Sequence, residues 1–104
     1  MIDLQQVTGF DWDEGNRFKN EKHSVKTAEV EQVFFNQPLV LIDDPHHSST
    51  DESRYHAFGA SDKGRLLHIT FTVREQRRLL RPISARPMSR KERTAYAKAT
   101  QASA

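Results

Sequence analysis

The sequence predicts an α+β domain, with a short strand, two helices, then a small antiparallel sheet of three to four strands, then a third helix. Three observations carry that expectation. Residues 28–34 place Ala28, Val30, Val33 and Phe34 at helical spacing, after a shorter segment capped by Asp13. Residues 54–85 hold three strand-like runs, the first two joined by Ser61-Asp62-Lys63-Gly64, which is hairpin-turn chemistry. Ser89-Arg90-Lys91-Glu92 is a capping box, opening a helix over about Arg90–Lys98. With 104 residues the chain can close one modest core, so a single domain is expected.

In order along the chain, Met1–Gly9 lacks a clear period and reads as an edge strand or arm. Phe10-Asp11-Trp12 reads as a strand end. A helix over Glu14–Lys22 has Phe18 as its one large apolar residue. Ser24 breaks the pattern before a second helix at about Thr27–Phe35. Leu39–Ile42 is an apolar run of strand length, and Asp43–Ser53 is polar enough for a mobile loop.

In the next strand Tyr55 and Ala57 share one face, and Arg54, His56 and Phe58 the other. Leu67, Ile69, Phe71 and Val73 then alternate with Leu66, His68, Thr70 and Thr72, so one face is core and the other is open. Glu75–Arg78 is a charged turn. In Arg81-Pro82-Ile83-Ser84-Ala85-Arg86, simple alternation sends Ile83 and Ala85 inward with Arg81, and Ser84 and Arg86 outward. Pro82 cannot donate to a ladder and marks an edge or irregularity. The tail after Lys98 is expected to fray.

Composition bounds the function. There is no cysteine, which removes disulfides, thiolate catalysis and Cys-based zinc sites. No apolar run approaches the roughly 20 residues of a membrane helix, so a cytoplasmic protein with no membrane partner is expected. Residues 1–53 hold 4 Lys/Arg against 11 Asp/Glu, while residues 54–104 hold 12 against 3. A basic half suggests a polyanion, because each cation that neutralises a phosphate releases counterions.

Two constellations bear on chemistry. Lys22-His23 sits at a helix end, and histidine titrates near neutrality, which suits proton transfer. Helix C-termini also favour cations with no function involved. Arg74, Arg81 and Arg86 lie on two adjacent strands, and arginine grips phosphate bidentately without losing its charge. Arg54 and Arg65 extend that set. His46-His47 with Asp43, Asp44 and Asp51 has no recurring ligand spacing and reads as a solvated loop, so no metal or other cofactor is expected.

Phe10-Asp11-Trp12-Asp13-Glu14, Asn20-Glu21-Lys22-His23-Ser24-Val25, Val33-Phe34, Gly64-Arg65-Leu66-Leu67, Phe71-Thr72-Val73-Arg74 and Ile83-Ser84-Ala85-Arg86, then Arg93 and Tyr96, together resemble the BrnT toxins over roughly residues 10–96. The resemblance implies a RelE-like ribonuclease fold and the toxin of a type II toxin–antitoxin pair. It implies metal-independent RNA cleavage that halts translation, and neutralisation by a small DNA-binding antitoxin, BrnA, in a complex that represses its own operon. Lys22, His23, Arg74, Arg81 and Arg86 are then the expected catalytic residues, Glu75 an auxiliary one, and Arg54 and Arg65 RNA contacts. Ser24 stands where the family usually has Gly, so a left-handed backbone there would be strained. Lys26 replaces a serine cap, and Asn16 a common lysine. The competing classes are a non-catalytic toxin-fold module that binds nucleic acid or antitoxin, and a DNA-binding regulator acting alone.

Overall fold

A computed structural model of the chain describes residues 2–21, 23–47 and 52–101. Lys22, the side chain of Phe18 and the C-terminal residues 102–104 lie outside the described set. Among the described residues the architecture is α+β, with a five-stranded sheet in the order β1-β5-β4-β3-β2 and three α-helices. A 3₁₀ turn at Leu4–Gln6 leads into β1 (Gly9–Phe10), followed by α1 (Glu14–Glu21) and α2 (Thr27–Phe35). Next come β2 (Val40–Asp44), a 3₁₀ turn at Pro45–His47, β3 (Arg54–Ala60), β4 (Leu66–Arg74), β5 (Leu79–Pro87) and α3 (Arg90–Gln101).

Four corrections to the sequence reading follow. The sheet has five strands and is mixed, because β1 pairs parallel to β5 through Gly9↔Leu79 and Phe10↔Leu80. The stretch before β1, expected to be an edge strand or arm, instead folds a 3₁₀ turn at Leu4–Gln6 ahead of the strand and the two helices. Asp43 and Asp44 belong to β2 rather than to a loop, paired with Tyr55 and Arg54. The last helix also runs beyond Lys98 to Gln101.

The core lies on one face of the sheet. Val30 and Val33 of α2 are fully buried with Ala57, Leu67, Ile69, Phe71 and Ala85, which is the inward alternation expected for β3 and β4. Gly59 lets α2 come close, since a Cβ there would meet Val33 Cγ1 at 3.0 Å. Ser24 adopts φ 57°, the left-handed conformation that glycine takes at least cost. Arg65 braces that turn by donating to the carbonyls of Ser24 (2.8 Å) and His23 (3.3 Å) while its guanidinium also meets Glu29. Lys26 caps α2 with no side-chain bond, but its backbone N–H donates to Glu29 at 3.2 Å. Ser24→Gly should therefore raise stability by about 0.5–1 kcal/mol, read as a higher urea midpoint with unchanged m.

One irregularity sets up everything on the other face. β4 and β5 pair as Thr70↔Ser84 and then Phe71↔Pro82, so Ile83 is an unpaired bulge residue. The bulge reverses the alternation, and Thr72 stands opposite Arg81. The expectation that Arg81 and Ile83 share the core parity is thus overturned. Ile83 is half-buried and absent from the core, and Arg81 faces outward with Ser84 and Arg86. Pro82 does sit at an irregularity, as its missing donor required.

Candidate nucleic-acid interface

The outward face of the sheet can be written as rows of cross-strand neighbours. Asp44–Arg54 and Thr72–Arg81 form the first, Ile42–His56–Thr70–Ser84 the second, and Val40–Phe58–His68–Arg86 the third. Rows are about 7 Å apart and strands about 5 Å apart, so the polar groups are near neighbours, with Val40, Ile42 and Phe58 forming an apolar patch toward β2.

At the first row Arg54, Arg74 and Arg81 line a single cleft with Gly15, Asn16, Glu52, Pro82 and Ile83, enclosing about 270 Å³. Glu52 meets Arg74 at 3.1 Å and Arg54 at 3.8 Å. Arg81 bridges Asp13 at 2.8 Å and Asp11 at 3.4 Å. Asn16 fixes this corner from the start of α1. It is 4% exposed, donates to the carbonyls of Pro82 (2.8 Å) and Asp11 (2.9 Å), and exchanges hydrogen bonds with the backbone and carboxylate of Asp13. The Asn16 backbone N–H and then Arg81 hold the Asp13 carboxyl below its ordinary pKa. The residue that departs from the expected lysine is therefore a structural anchor of the Arg81 corner.

The third row is bound differently. Arg86 grips Glu92 of α3 through two charge-assisted bonds of 2.7 and 2.9 Å, and Glu92 also accepts from the Ser89 N–H at 2.8 Å. Arg86 pulls the Glu92 carboxyl down to about 2, and in return its own guanidinium is raised. Beside them His68 stacks on Phe58, ring centroids 4.5 Å apart and 3° from parallel. His68 Nε2 lies 2.8 Å from His56 Nδ1, and His56 Nε2 lies 2.8 Å from Asp44.

The expected site residues thus divide. Arg54, Arg74 and Arg81 converge on one cleft, and Arg86 stands further along the same face. Arg65 and His23 belong to the turn beside α2, at the opposite end of β4 from Arg74. Nine residue steps of extended chain lead from Arg65 to Arg74, which is roughly 30 Å of backbone. Glu75 is exposed in the β4–β5 turn, where it, Gln76 and Arg77 all take positive φ.

A family model described as "Ribonuclease toxin, BrnT, of type II toxin-antitoxin system" matches residues 12–92. The chain belongs to the BrnT family. No curated protein sequence matches it. RNA is the target class of a BrnT ribonuclease toxin, and an antitoxin is its partner. The matched span runs from Trp12, whose indole donates to Glu31 at 2.8 Å, through both arginine clusters to Glu92. Among the described residues of this BrnT chain, no helix is long and apolar enough to cross a membrane.

Sequence reasoning missed His56, His68, Asp44 and Glu92 as a connected group. The signal was present in the Ser61–Gly64 turn. Centring the hairpin there pairs His56 with Thr70 and Phe58 with His68, which makes the two histidines diagonal neighbours on the outward face.

Proposed function

We propose that this BrnT protein is a metal-independent endoribonuclease of RelE-like fold, in which a ribose 2′-oxygen attacks the adjacent phosphate. The convergence of Arg54, Arg74 and Arg81 on one outward-facing cleft carries this reading. Three guanidiniums at one point suit a polyanionic backbone, and their carboxylate partners hold them in place until phosphate replaces those carboxylates. Arg86 extends the grip along the sheet, with Arg65 a backbone contact at the far end. His23, assisted by Lys22, is the proton-transfer pair that the family resemblance suggests, and Glu75 an auxiliary group. A BrnA-like DNA-binding antitoxin neutralises the protein in the cytoplasm, and the complex binds operator DNA.

The test is incubation of purified protein with end-labelled RNA in excess chelator. The expected products carry 2′,3′-cyclic phosphate and 5′-hydroxyl ends. Cleavage that appears only when a divalent cation is restored would defeat metal independence. RNA left intact under both conditions favours the non-catalytic module, which has one observation in its support: Arg54, Arg74, Arg81 and Arg86 each already face a carboxylate.

A further inference from the structure

Among the described residues His68 Nδ1 is buried and has no hydrogen-bond partner, an uncommon state for an imidazole nitrogen among polar neighbours. Its surroundings define its hydrogen content. A carboxylate can only accept, so Asp44 requires a hydrogen on His56 Nε2. With both rings neutral, His56 Nδ1 then accepts from His68 Nε2 at 2.8 Å, and the Thr70 hydroxyl lies 3.2 Å from the same atom. His68 Nδ1 is left with a lone pair. The Glu92 carboxylate lies 3.6 Å from it and offers no hydrogen.

We propose that His68, backed by His56 and Asp44, is the base that takes the 2′-hydroxyl proton in this protein, with Arg86 holding the phosphate under attack. The proposal rests on the ribonuclease reading and relocates its proton transfer from His23 to the sheet. The charged and titratable groups facing His68 come from four elements: Asp44 of β2 through His56 of β3, Arg86 of β5, and Glu92 of α3. Burial first, and Arg86 second, push His68 down to about 4, so the ring is neutral and able to accept at neutral pH.

Glu92 occupies the place that a substrate phosphate must take, since both present two oxygens to Arg86. α3 is suited to yield it. None of its described residues is buried, and a groove of about 170 Å³ lined by Val40, Ile42, Phe58, Ala95 and Tyr96 lies beneath the helix. With phosphate on Arg86, the 2′-hydroxyl proton passes to His68 Nδ1. The imidazolium is stabilised through its Nε2–H to His56 and onward to Asp44. The 2′-O–P bond forms, the P–O5′ bond breaks, and the proton returns from His68 to the departing 5′-oxygen.

The experiment compares full-length wild type, His68→Gln, His56→Gln, Asp44→Asn and His23→Ala. Cleavage of labelled RNA is measured across pH, with binding of a fully 2′-O-methylated RNA of the same sequence alongside. His68→Gln should lower kcat roughly 10²–10⁴-fold while the Kd for the methylated RNA changes no more than about twofold. His56→Gln and Asp44→Asn should each lower kcat about tenfold and displace the acidic limb of the pH–rate profile, which a merely structural role would not do. A folded His68→Gln protein that cleaves within about threefold of wild type overturns the proposal, most plainly if His23→Ala has lost activity. If His68→Gln does not fold, the Asp44→Asn profile decides: displaced supports it, superimposable on wild type overturns it. Wild type without cleavage at any pH sinks the ribonuclease reading itself, and this proposal with it.

Discussion

Arg81→Gln should raise the KM for RNA roughly tenfold, the cost of removing one charge-assisted contact to the backbone beside the cleaved bond. The expectation follows from where the guanidinium sits. It is held between Asp11 and Asp13, beside the Asn16 anchor, in the cleft shared with Arg54 and Arg74. Glutamine keeps much of the length but neither the charge nor the fork, and it leaves Asp11 and Asp13 facing the cleft without their counter-ion. RNA would then meet repulsion as well as a lost grip, so KM should rise while kcat changes little, because the phosphate under attack lies on Arg86 two rows away. Steady-state cleavage of a labelled oligonucleotide separates the two. A KM within a few-fold of wild type would show that the cleft is not where phosphate binds.

Phe71→Ala should be the most damaging core change, at about 3–5 kcal/mol. Phe71 is fully buried in β4 and packs edge-on against Phe34 of α2 at 5.1 Å and against Tyr55 of β3 at 5.5 Å. Its ring therefore ties the helix to two strands at once. Domains of this size have roughly 5–15 kcal/mol in total, so the loss should be visible as a large fall in urea midpoint. A loss under about 1 kcal/mol would mean that α2 can settle into the vacated space.

Most of the scaffold was legible in the sequence because its elements obey local rules. The inward residues alternate through β3 and through β4 as far as Phe71, where Thr72 is buried as well, and the capping box places the start of α3 at Arg90. A strand end at Phe10 was legible, but its parallel pairing with β5 was not, because the partner lies about seventy positions downstream. The bulge was half legible. Pro82 announced an irregularity, but nothing local shows which residue of the run is left unpaired. The arginine cluster was recognised by residue type, while its division was not. That division depends on α1, whose Asn16 fixes the Arg81 corner, and on α3, whose Glu92 engages Arg86. The histidine pair was missed for a different reason. Its members are unremarkable singly, and only hairpin register joins them.

The unpaired Ile83 gives β5 something like a reading frame. On either side of it the same in–out code runs out of phase by one, with Leu80 and Pro82 inward before it and Ala85 inward after it. Pairing all of these residues without the bulge would impose one phase on the strand, counted from Ala85. The arginine at 81 would then enter the apolar interior, and Leu80 and Pro82 would turn out to solvent. Removing Ile83 itself would leave each of its neighbours on its present face. The chemistry of the outward face thus depends on where the surplus residue sits as much as on which residues surround it.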